Sequence, residues 1–332
     1  MFDNKSILIT GGTGSFGVQF VSSLLANYQP KRVIVYSRDE LKQYEMEQRF
    51  NDSCMRYFIG DVRDKSRLNF AMKGVDFVVH AAALKQVPAA EYNPMECIKT
   101  NILGGQNVIE AAIEQNVEKV VALSTDKAAN PINLYGATKL ASDKLFVAAN
   151  NLTGMERTRF SVVRYGNVVG SRGSVVPLFA RLKAEGAKRY PVTDERMTRF
   201  WITLEQGVKF VTNSFRYMHG GEIFVPKIPS MRIVDLVKSI DEFAEINVIG
   251  IRPGEKLHEV MCPEEGARNT IEFNDHYLIA PAIRFFDDTI QYRKNAIGEV
   301  GRYVEDAFEY SSGTNPDFLT VKQLKELNKA FI

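Results

Sequence analysis

Residues 6–17 read SILITGGTGSFG, and this stretch decides the fold. Its first five residues predict a short apolar strand, glycines follow at positions 11, 14 and 17, and an apolar helix face comes next. Glycines here let the backbone approach a pyrophosphate, while the N-terminus of the following helix faces the phosphates. We therefore predict a strand, a nucleotide-binding loop and a helix. The spacing is GxxGxxG where many dinucleotide enzymes have GxGxxG, and a plain glycine-rich turn is the alternative.

Strands and helices alternate outward from this stretch over the first half of the chain. Further strands are predicted at residues 33–36, 55–62, 75–83, 120–123, 160–170 and 221–225, and a helix at 94–115. Such alternation is typical of a parallel sheet with helices between its strands. In the second half of the chain the alternation of strands and helices becomes less regular. The predicted fold class is α/β, a Rossmann-like doubly wound parallel sheet with a smaller C-terminal substrate lobe.

The composition excludes several classes of protein. The chain of 332 residues is 45% hydrophobic and 25% charged, as in ordinary globular proteins. Its net charge of +2 and its lack of a polybasic tract give no sign of nucleic acid or an anionic membrane as partner. Three widely spaced cysteines indicate reduced thiols and a cytoplasmic setting. The sequence has no run of 18 apolar residues, no signal-peptide pattern and no metal-ligand spacing among its histidines, so we expect neither a membrane span nor a metal.

A second stretch, residues 124–139, reads STDKAANPINLYGATK and follows the apolar run 120–123. Tyr135 and Lys139 share one face of a helix because they lie four residues apart. A lysine beside a phenol lowers the pKa of that phenol and makes a proton acceptor usable near neutral pH. Residues 125–127, Thr-Asp-Lys, come at the sheet edge where open α/β folds bind ligands. A Tyr and a Lys at this spacing are common on protein surfaces, so the pair by itself is a weak signal.

The end of the second strand indicates which dinucleotide binds. An acidic residue there would bind the ribose 2′-hydroxyl of NAD and repel a 2′-phosphate. The tip instead reads Ser37-Arg38, with Lys42 one turn further on, which suits a phosphate. We therefore predict NADP as the cofactor. Asp39 leaves NAD open, because a shift of one residue would restore an acidic reader, and a solvated surface charge is the alternative for Arg38.

Four motifs occur in order along the chain: GGTGSFG at 11–17, HAAA at 80–83, YxxxK at 135–139 and RPGEKLHE at 252–259. With them, residues 6–259 resemble the nucleotide-sugar branch of the extended short-chain dehydrogenase/reductase family. Hexose 4,6-dehydratases of that family generally have Thr-Asp-Glu where this chain has Thr-Asp-Lys, and the lysine marks the UDP-N-acetylhexosamine group. Membrane-bound members that retain the C5 configuration typically carry Met in place of the tyrosine, so this chain is more similar to the soluble, C5-inverting members.

The resemblance implies a reaction, a pathway and an assembly. UDP-N-acetylglucosamine would lose water across C5 and C6 after NADP takes hydride from C4, and the hydride would return to C6. This reaction would open pseudaminic acid biosynthesis for flagellin glycosylation, and the enzyme would be a homo-oligomer, dimer or hexamer. The domain division that follows is an NADP-binding domain over residues 1–170 plus about 200–228, and a UDP-sugar-binding lobe over 171–199 and 229–332.

The resemblance also implies roles for the polar residues of the second stretch. Tyr135 would take the O4 proton, and Lys139 would lower the pKa of that phenol and bind the nicotinamide ribose. Thr125 would hydrogen-bond the O4 region. Asp126 would donate a proton to the departing hydroxyl, which requires a raised pKa, and Lys127 would take the C5 proton, which requires desolvation or nearby cations to lower its pKa. A plain ion pair between Asp126 and Lys127 is the alternative.

Further binding residues follow from the same resemblance. The implied cofactor-binding residues are Gly11, Thr13, Gly14, Ser15, Phe16, Gly17, Ser37, Arg38, Lys42, Asp61, Val62, Ala81, Lys85, Leu123, Ser124, Tyr135 and Lys139. The implied substrate-binding residues are Lys85, Asn167, Val168, Arg172, Thr193, Arg199, Arg252 and Glu255. Arg199 and Arg252 are assigned to the diphosphate, which guanidinium groups bind in a fork, and Glu255 to the uridine ribose. A surface or interlobe role is the alternative for each arginine. Competing functions are a UDP-sugar 4-epimerase, a retaining dehydratase and an NADP-sensing regulator.

Overall fold

The computed structural model describes residues 1–153, 158–170, 175–283 and 289–329. Strands and helices alternate through the first half of the chain. In order, they are β1 (Ser6–Thr10), α1 (Ser15–Asn27), β2 (Arg32–Ser37), α2 (Glu40–Arg49), β3 (Met55–Ile59), α3 (Lys65–Ala71), β4 (Phe77–His80), α4 (Val87–Tyr92), α5 (Pro94–Ile98), a π-helical turn (Lys99–Leu103), α6 (Gly104–Glu114), β5 (Lys119–Leu123), a 3-10 turn (Asp126–Ala128), α7 (Leu134–Thr153) and β6 (Arg159–Val163).

Shorter strands make up much of the second half. In order, the elements are β7 (Asn167–Val168), α8 (Val175–Ala184), β8 (Arg189–Val192), β9 (Thr198–Ile202), α9 (Leu204–Tyr217), β10 (Ile223–Pro226), β11 (Ser230–Arg232), α10 (Ile233–Ile240), β12 (Glu245–Val248), β13 (Val260–Cys262), a 3-10 helix (Glu264–Asn269), β14 (Thr270–Glu272), β15 (His276–Ile279), β16 (Arg302–Tyr303), β17 (Tyr310–Ser311) and α11 (Val321–Asn328).

One large sheet organises the molecule, with the strand order β16-β14-β15-β10-β6-β5-β4-β1-β2-β3. The run from β10 to β3 is parallel throughout. All five residues of β1 are buried, as expected for a strand that is covered on both faces. The chain passes from β1 to β2 on one side and later to β4 on the other, and such a switch point is where ligands bind. The predicted doubly wound α/β fold is confirmed.

The strand predicted over residues 160–170 consists of two separate strands. β6 ends at Val163, and β7 pairs with β9 in a different sheet. Between them, Gly166 passes so close to β9 that a Cβ there would lie 2.5 Å from the Cβ of Phe200. The expectation of one continuous strand is therefore wrong, because the apolar pattern does not show that the chain changes sheets at this glycine.

The helix predicted over residues 94–115 is interrupted by the π-helical turn. Asn101 lies within that turn, accepts a hydrogen bond from the Leu84 N–H at 2.8 Å and donates one to the Leu84 carbonyl at 2.9 Å. The widened turn thus carries an amide that holds the chain just after β4. Such turns are frequent at functional sites.

The described residues also form three smaller sheets, with the pairings β11-β9-β7, β12-β8 and β13-β17. A second hydrophobic core joins β8, β9 and β11 to α8, α10 and α11 and includes Val176, Phe179, Tyr190, Trp201, Leu236 and Leu324. The buried apolar residues of β13 and β17 belong to the core of the main sheet instead. The predicted division into two domains stays a prediction; β14, β15 and β16, from the C-terminal part of the chain, extend the main sheet next to β10. No helix in the four described ranges combines the length and apolarity needed to cross a membrane.

Candidate active site

A cavity of about 1030 Å³ opens at the carboxyl ends of the parallel strands. Its lining includes all five predicted catalytic residues, Thr125, Asp126, Lys127, Tyr135 and Lys139. It also includes every predicted cofactor-binding residue and six of the predicted substrate-binding residues, Lys85, Asn167, Val168, Arg199, Arg252 and Glu255. Thr193 does not line the cavity, since its hydroxyl donates to the sulfur of Met197 at 3.2 Å. Arg172 lies outside the described residues.

In the loop between β1 and α1, Gly11 and Gly17 are packed too tightly to be replaced by residues with side chains. Gly11 has a φ of 66°, and a Cβ there would lie 2.9 Å from the backbone of Ala82. At Gly17 a Cβ would lie 2.2 Å from the carbonyl oxygen of Gly12. Gly14 precedes α1 and offers no side-chain cap, so the first N–H groups of the helix are left for another acceptor. A loop of this kind fits a pyrophosphate.

The tip of β2 carries both charges on which the choice of dinucleotide depends. Asp39 caps α2, because its Oδ1 accepts from the Lys42 N–H at 3.0 Å, and its second oxygen pairs with the Lys42 ammonium. The Arg38 guanidinium lies 3.6 Å from Asp61, which Arg63 also binds at 2.7 Å. Asp39 is thus engaged within α2, whereas Arg38 is half exposed at the cavity.

The 3-10 turn after β5 brings an acid and an amine together. The Thr125 hydroxyl donates to Asp126 Oδ1 at 2.9 Å, and the Lys127 ammonium donates to the same oxygen at 3.1 Å. A second carboxylate, Glu259, lies 3.1 Å from Lys127 Nζ. Asp126 and Glu259 are almost fully buried, while the Lys127 side chain is 26% exposed. The turn therefore presents one cation between two anions at the cavity wall.

The electrostatics of Lys127 differ from the prediction. Burial on its own would lower the pKa of this ammonium, but the carboxylates of Asp126 and Glu259 outweigh burial and the nearby Arg199, and they raise that pKa above its ordinary value. The expectation that desolvation or cations would make Lys127 neutral is thus wrong for this structure. The plain ion pair that the sequence left open is present, and the cavity wall contains it.

The Tyr/Lys pair on α7 also differs in detail from the prediction. Burial raises the pKa of the Tyr135 phenol to about 12, while Lys127 and a hydrogen bond with Thr125 act to lower it. Lys139 is buried, which lowers its pKa, and its ammonium donates to the Leu123 carbonyl at 2.6 Å. Lys127 is therefore a cation that acts on the phenol, which was not predicted, and the predicted effect of Lys139 on that phenol stays a prediction.

The arginines predicted to bind the diphosphate come from two places, Arg199 from β9 and Arg252 from the loop before β13. Arg199 is buried and donates to the Leu257 carbonyl at 3.1 Å, while Arg252 pairs with Glu255 at 2.8 Å. Asn133 donates to the Gly254 carbonyl at 2.8 Å and so ties this loop to the start of α7. The cavity residues that sequence reasoning missed include Asn133, Tyr165, Trp201, Lys256 and Glu259.

These features place the chain in the class of extended short-chain dehydrogenase/reductases. It belongs to the family described as "Polysaccharide biosynthesis protein", which it matches over residues 7–281. The UDP-N-acetylglucosamine 4,6-dehydratase (inverting) of Campylobacter jejuni is 62% identical to it over 327 residues, 98% of each chain. The UDP-glucose 4-epimerase of Rickettsia massiliae is 44% identical over 286 residues, 84% of each chain. Among solved structures, Pen from Bacillus thuringiensis matches with a TM-score of 0.88, 36% identity and full coverage of both chains.

Proposed function

We propose that the chain is a UDP-N-acetylglucosamine 4,6-dehydratase that inverts C5 and gives UDP-2-acetamido-2,6-dideoxy-β-L-arabino-hex-4-ulose. The observation that carries the proposal is the Asp126–Lys127 pair at the cavity wall, within the electrostatic reach of Tyr135. Oxidation at C4 needs the tyrosine alone, whereas loss of water across C5 and C6 also needs a base and an acid. The identity of 62% with the Campylobacter jejuni enzyme supports the same function.

The cofactor in this proposal is NADP, held by the glycine loop and by the tips of β2, β4 and β5. Asp39 is occupied as the cap of α2, whereas Arg38, 3.6 Å from Asp61 and half exposed, lines the cavity where it can meet a 2′-phosphate. When bound, the dinucleotide supplies oxidation at sugar C4 and reduction at C6. Mass spectrometry of the nucleotide released from denatured protein tests this choice, and release of NAD alone would contradict it.

The chain's own residues would move three protons. Tyr135, ionised to the phenolate, takes the proton of the C4 hydroxyl as C4 becomes a ketone, which makes the C5 hydrogen acidic. Within the ion pair, one N–H bond of the Lys127 ammonium breaks and an O–H bond forms on Asp126, so a neutral amine and a carboxylic acid result with no change in net charge. The amine then removes the C5 proton, and the acid protonates the C6 hydroxyl, which leaves as water. Once hydride has returned to C6, C5 takes a proton from solvent on the opposite face, and Tyr135 gives the O4 proton up to solvent. The ion pair is thus the resting form of the base and acid that the reaction needs.

Two enzymatic alternatives remain to be tested. A 4-epimerase uses no acid or base at C5 and C6, so the Asp126–Lys127 pair disfavours it, although one relative named as an epimerase is 44% identical. A retaining dehydratase differs in the face from which C5 receives its new proton. A non-catalytic NADP sensor would need neither Tyr135 nor Lys139, and the cavity contains both.

The deciding experiment is an NMR time course of the purified protein with UDP-N-acetylglucosamine in D2O, without added cofactor. We expect a 4-keto-6-deoxy product with deuterium at C5 and the ring couplings of the L-arabino configuration. Couplings of the D-xylo configuration from the first time point would overturn inversion, and UDP-N-acetylgalactosamine would make the protein an epimerase. If no conversion occurred even after NADP was added, the catalytic proposal would fail.

The remaining expectations belong to the same proposal. We propose that the reaction supplies the first intermediate of pseudaminic acid biosynthesis for flagellin glycosylation, in the cytoplasm. The assembly expected from the family resemblance is a dimer or a hexamer, and light scattering on the eluted protein measures it directly.

A further inference from the structure

Glu259 is a cavity residue to which the proposed chemistry gives no role. Its side chain is 2% exposed, and Oε1 lies 3.1 Å from Lys127 Nζ and 3.6 Å from Arg199 Nε. Its Oε2 is buried without a hydrogen-bond partner among the described residues, and the same is true of Asp126 Oδ2. Buried oxygens without partners are rare in folded proteins, and a catalytic role is one of their recognised causes.

The backbone holds Glu259 firmly. Its N–H donates to Ser312 Oγ at 2.9 Å, and its carbonyl accepts from the Ser312 N–H at 2.8 Å. β13 begins at the next residue and pairs with β17. Lys127 instead carries its charge on a flexible four-carbon stem from a single 3-10 turn. Glu259 is thus a fixed partner, and Lys127 is the one whose position has to be set.

We propose that Glu259 is a positioning residue of the reaction, which shares the Lys127 ammonium with Asp126, fixes the place of that nitrogen and stabilises its protonated form. This inference rests on the function proposed above, because it is there that Lys127 acts as a base. It gives the two carboxylates different roles: Asp126 exchanges a proton with Lys127, and Glu259 holds the amine in place.

Other charged and titratable groups surround this cluster. They are Asp126 in the 3-10 turn, Tyr135 in α7, Arg199 in β9, Glu255, Lys256 and His258 before β13, and Glu309 before β17. Arg199 opposes a positive charge on Lys127, and the two carboxylates outweigh it. If the charge of Glu259 alone were removed, Asp126 would be the remaining carboxylate that counteracts the repulsion between Arg199 and the Lys127 ammonium. The Lys127 ammonium would then lose its proton at a lower pH.

The direct test is a titration of Lys127 in protein labelled with carbon-13 at lysine Cε. The NMR signal that is missing from the spectrum of Lys127→Gln is the Cε resonance of Lys127. In Glu259→Gln, which keeps the shape and removes the charge, we expect the titration midpoint to fall by about one pH unit or more, as is typical when a group loses an ionic partner within 4–6 Å. An unchanged midpoint would overturn the proposal.

A second variant keeps the test decisive if Glu259→Gln does not fold. Glu259→Asp retains the charge but withdraws it by one methylene group, so the midpoint should fall by less than in Glu259→Gln. If neither folded variant moves the midpoint, Glu259 does not control the protonation of Lys127.

The catalytic readout separates this inference from the proposed function. In Glu259→Gln the pH dependence of deuterium entry at C5 should move toward lower pH with the midpoint, which a merely structural role would not produce. If the wild-type protein did not convert UDP-N-acetylglucosamine, the function would fail while the lysine titration still decided the role of Glu259. A normal wild-type reaction with an unmoved pH profile in Glu259→Gln would overturn the inference alone.

Discussion

Tyr135 must be ionised before it can take the O4 proton in the proposed reaction, yet burial raises the pKa of its phenol to about 12. The residues that act to lower this pKa are Lys127 and Thr125, which belong to the turn that also carries Asp126. Proton transfer at O4 and proton transfer at C5 are therefore coupled through one cation. Substitution of Lys127 would affect both steps, so its loss of activity alone cannot be assigned to C5.

The raised pKa of Tyr135 predicts a dependence of stability on pH. An unfolded tyrosine ionises near pH 10, whereas the folded phenol stays neutral up to about pH 12. The contribution of Tyr135 to stability is therefore complete below pH 10 and is lost as the pH rises toward 12. We expect the wild type to lose stability relative to Tyr135→Phe across this range in denaturant titrations. Tyr303→Phe removes an exposed phenol as the control, and a constant difference between wild type and Tyr135→Phe would contradict the prediction.

For individual residues, the sequence was sufficient to predict most of those that line the cavity, but not how neighbouring charges shift their pKa values. The spacing of Tyr135 and Lys139 and the position of Lys127 after a strand were sufficient to place them together. Glu259 was visible in the RPGEKLHE motif, but its contact with Lys127 joins residues 132 positions apart (259 − 127). No local pattern reports such a contact, so the sign of the shift in the pKa of Lys127 was predicted wrongly.

Among the elements, the junction of β1 and α1 depends most strongly on glycine. In Gly17→Ala the new Cβ would meet the backbone of Gly12 at 2.2 Å, and backbone atoms cannot move aside cheaply. We expect a loss of stability of about 1–3 kcal/mol, together with weaker dinucleotide binding. Thermal unfolding and nucleotide titration measure the two effects.

A matched helical control is available for this change. Gly207 in α9 has no atom within 4 Å of the place where a Cβ would stand. Gly207→Ala should therefore stabilise the protein by about 0.5–1 kcal/mol, because alanine favours a helix over glycine. If Gly17→Ala were as stable as Gly207→Ala, the close packing of the loop would be refuted.

Elements near the start of the chain were predictable because each apolar run is followed by its own turn or helix signal. β1, α1 and β5 lie where the sequence predicts them. The end of β6 at Val163 and the π-helical turn were not predictable, because the contacts found there, of Gly166 with Phe200 and of Asn101 with Leu84, join residues that are distant in the sequence. The local pattern of apolar residues therefore predicts whether a segment is a helix or a strand better than it predicts the residue at which that element ends.

At the scale of the whole molecule, the C-terminal segment binds back to distant parts of the chain through Ser312 and Asn315. Asn315 donates to the Ile228 carbonyl at 2.9 Å and to Ser230 Oγ at 3.0 Å, both buried beside β11. Ser312 binds the backbone of Glu259 and, at 2.8 Å, the hydroxyl of Thr198. This return of the chain was not predictable, since pairing between distant short strands leaves no periodic signal.

From the hydrogen bonds of Ser312 and Asn315 we predict that replacing either residue lowers stability, whereas their effects on activity differ. Ser312→Ala and Asn315→Ala each leave buried polar groups unpaired, which costs about 1–3 kcal/mol. Only the first removes a hydrogen bond of Glu259, the one from its N–H to Ser312 Oγ, so we expect Ser312→Ala to lower kcat further than Asn315→Ala at a similar loss of stability. Denaturant titration and steady-state kinetics on the same preparations give the comparison, and equal effects on kcat would argue against a link from the C-terminal segment to the site.

The distance along the chain between Glu259 and Ser312 also has a consequence during translation. Synthesis runs from the amino end, and Ser312 is made 53 residues after the backbone N–H that it binds. The parallel strands from β1 to β6 and the turn that carries Lys127 leave the ribosome well before this partner exists. A nascent chain therefore completes its nucleotide-binding half first, and the hydrogen bond that holds the backbone of Glu259 forms last. A prematurely terminated product that lacks Ser312 would retain the glycine loop but would lack this hydrogen bond.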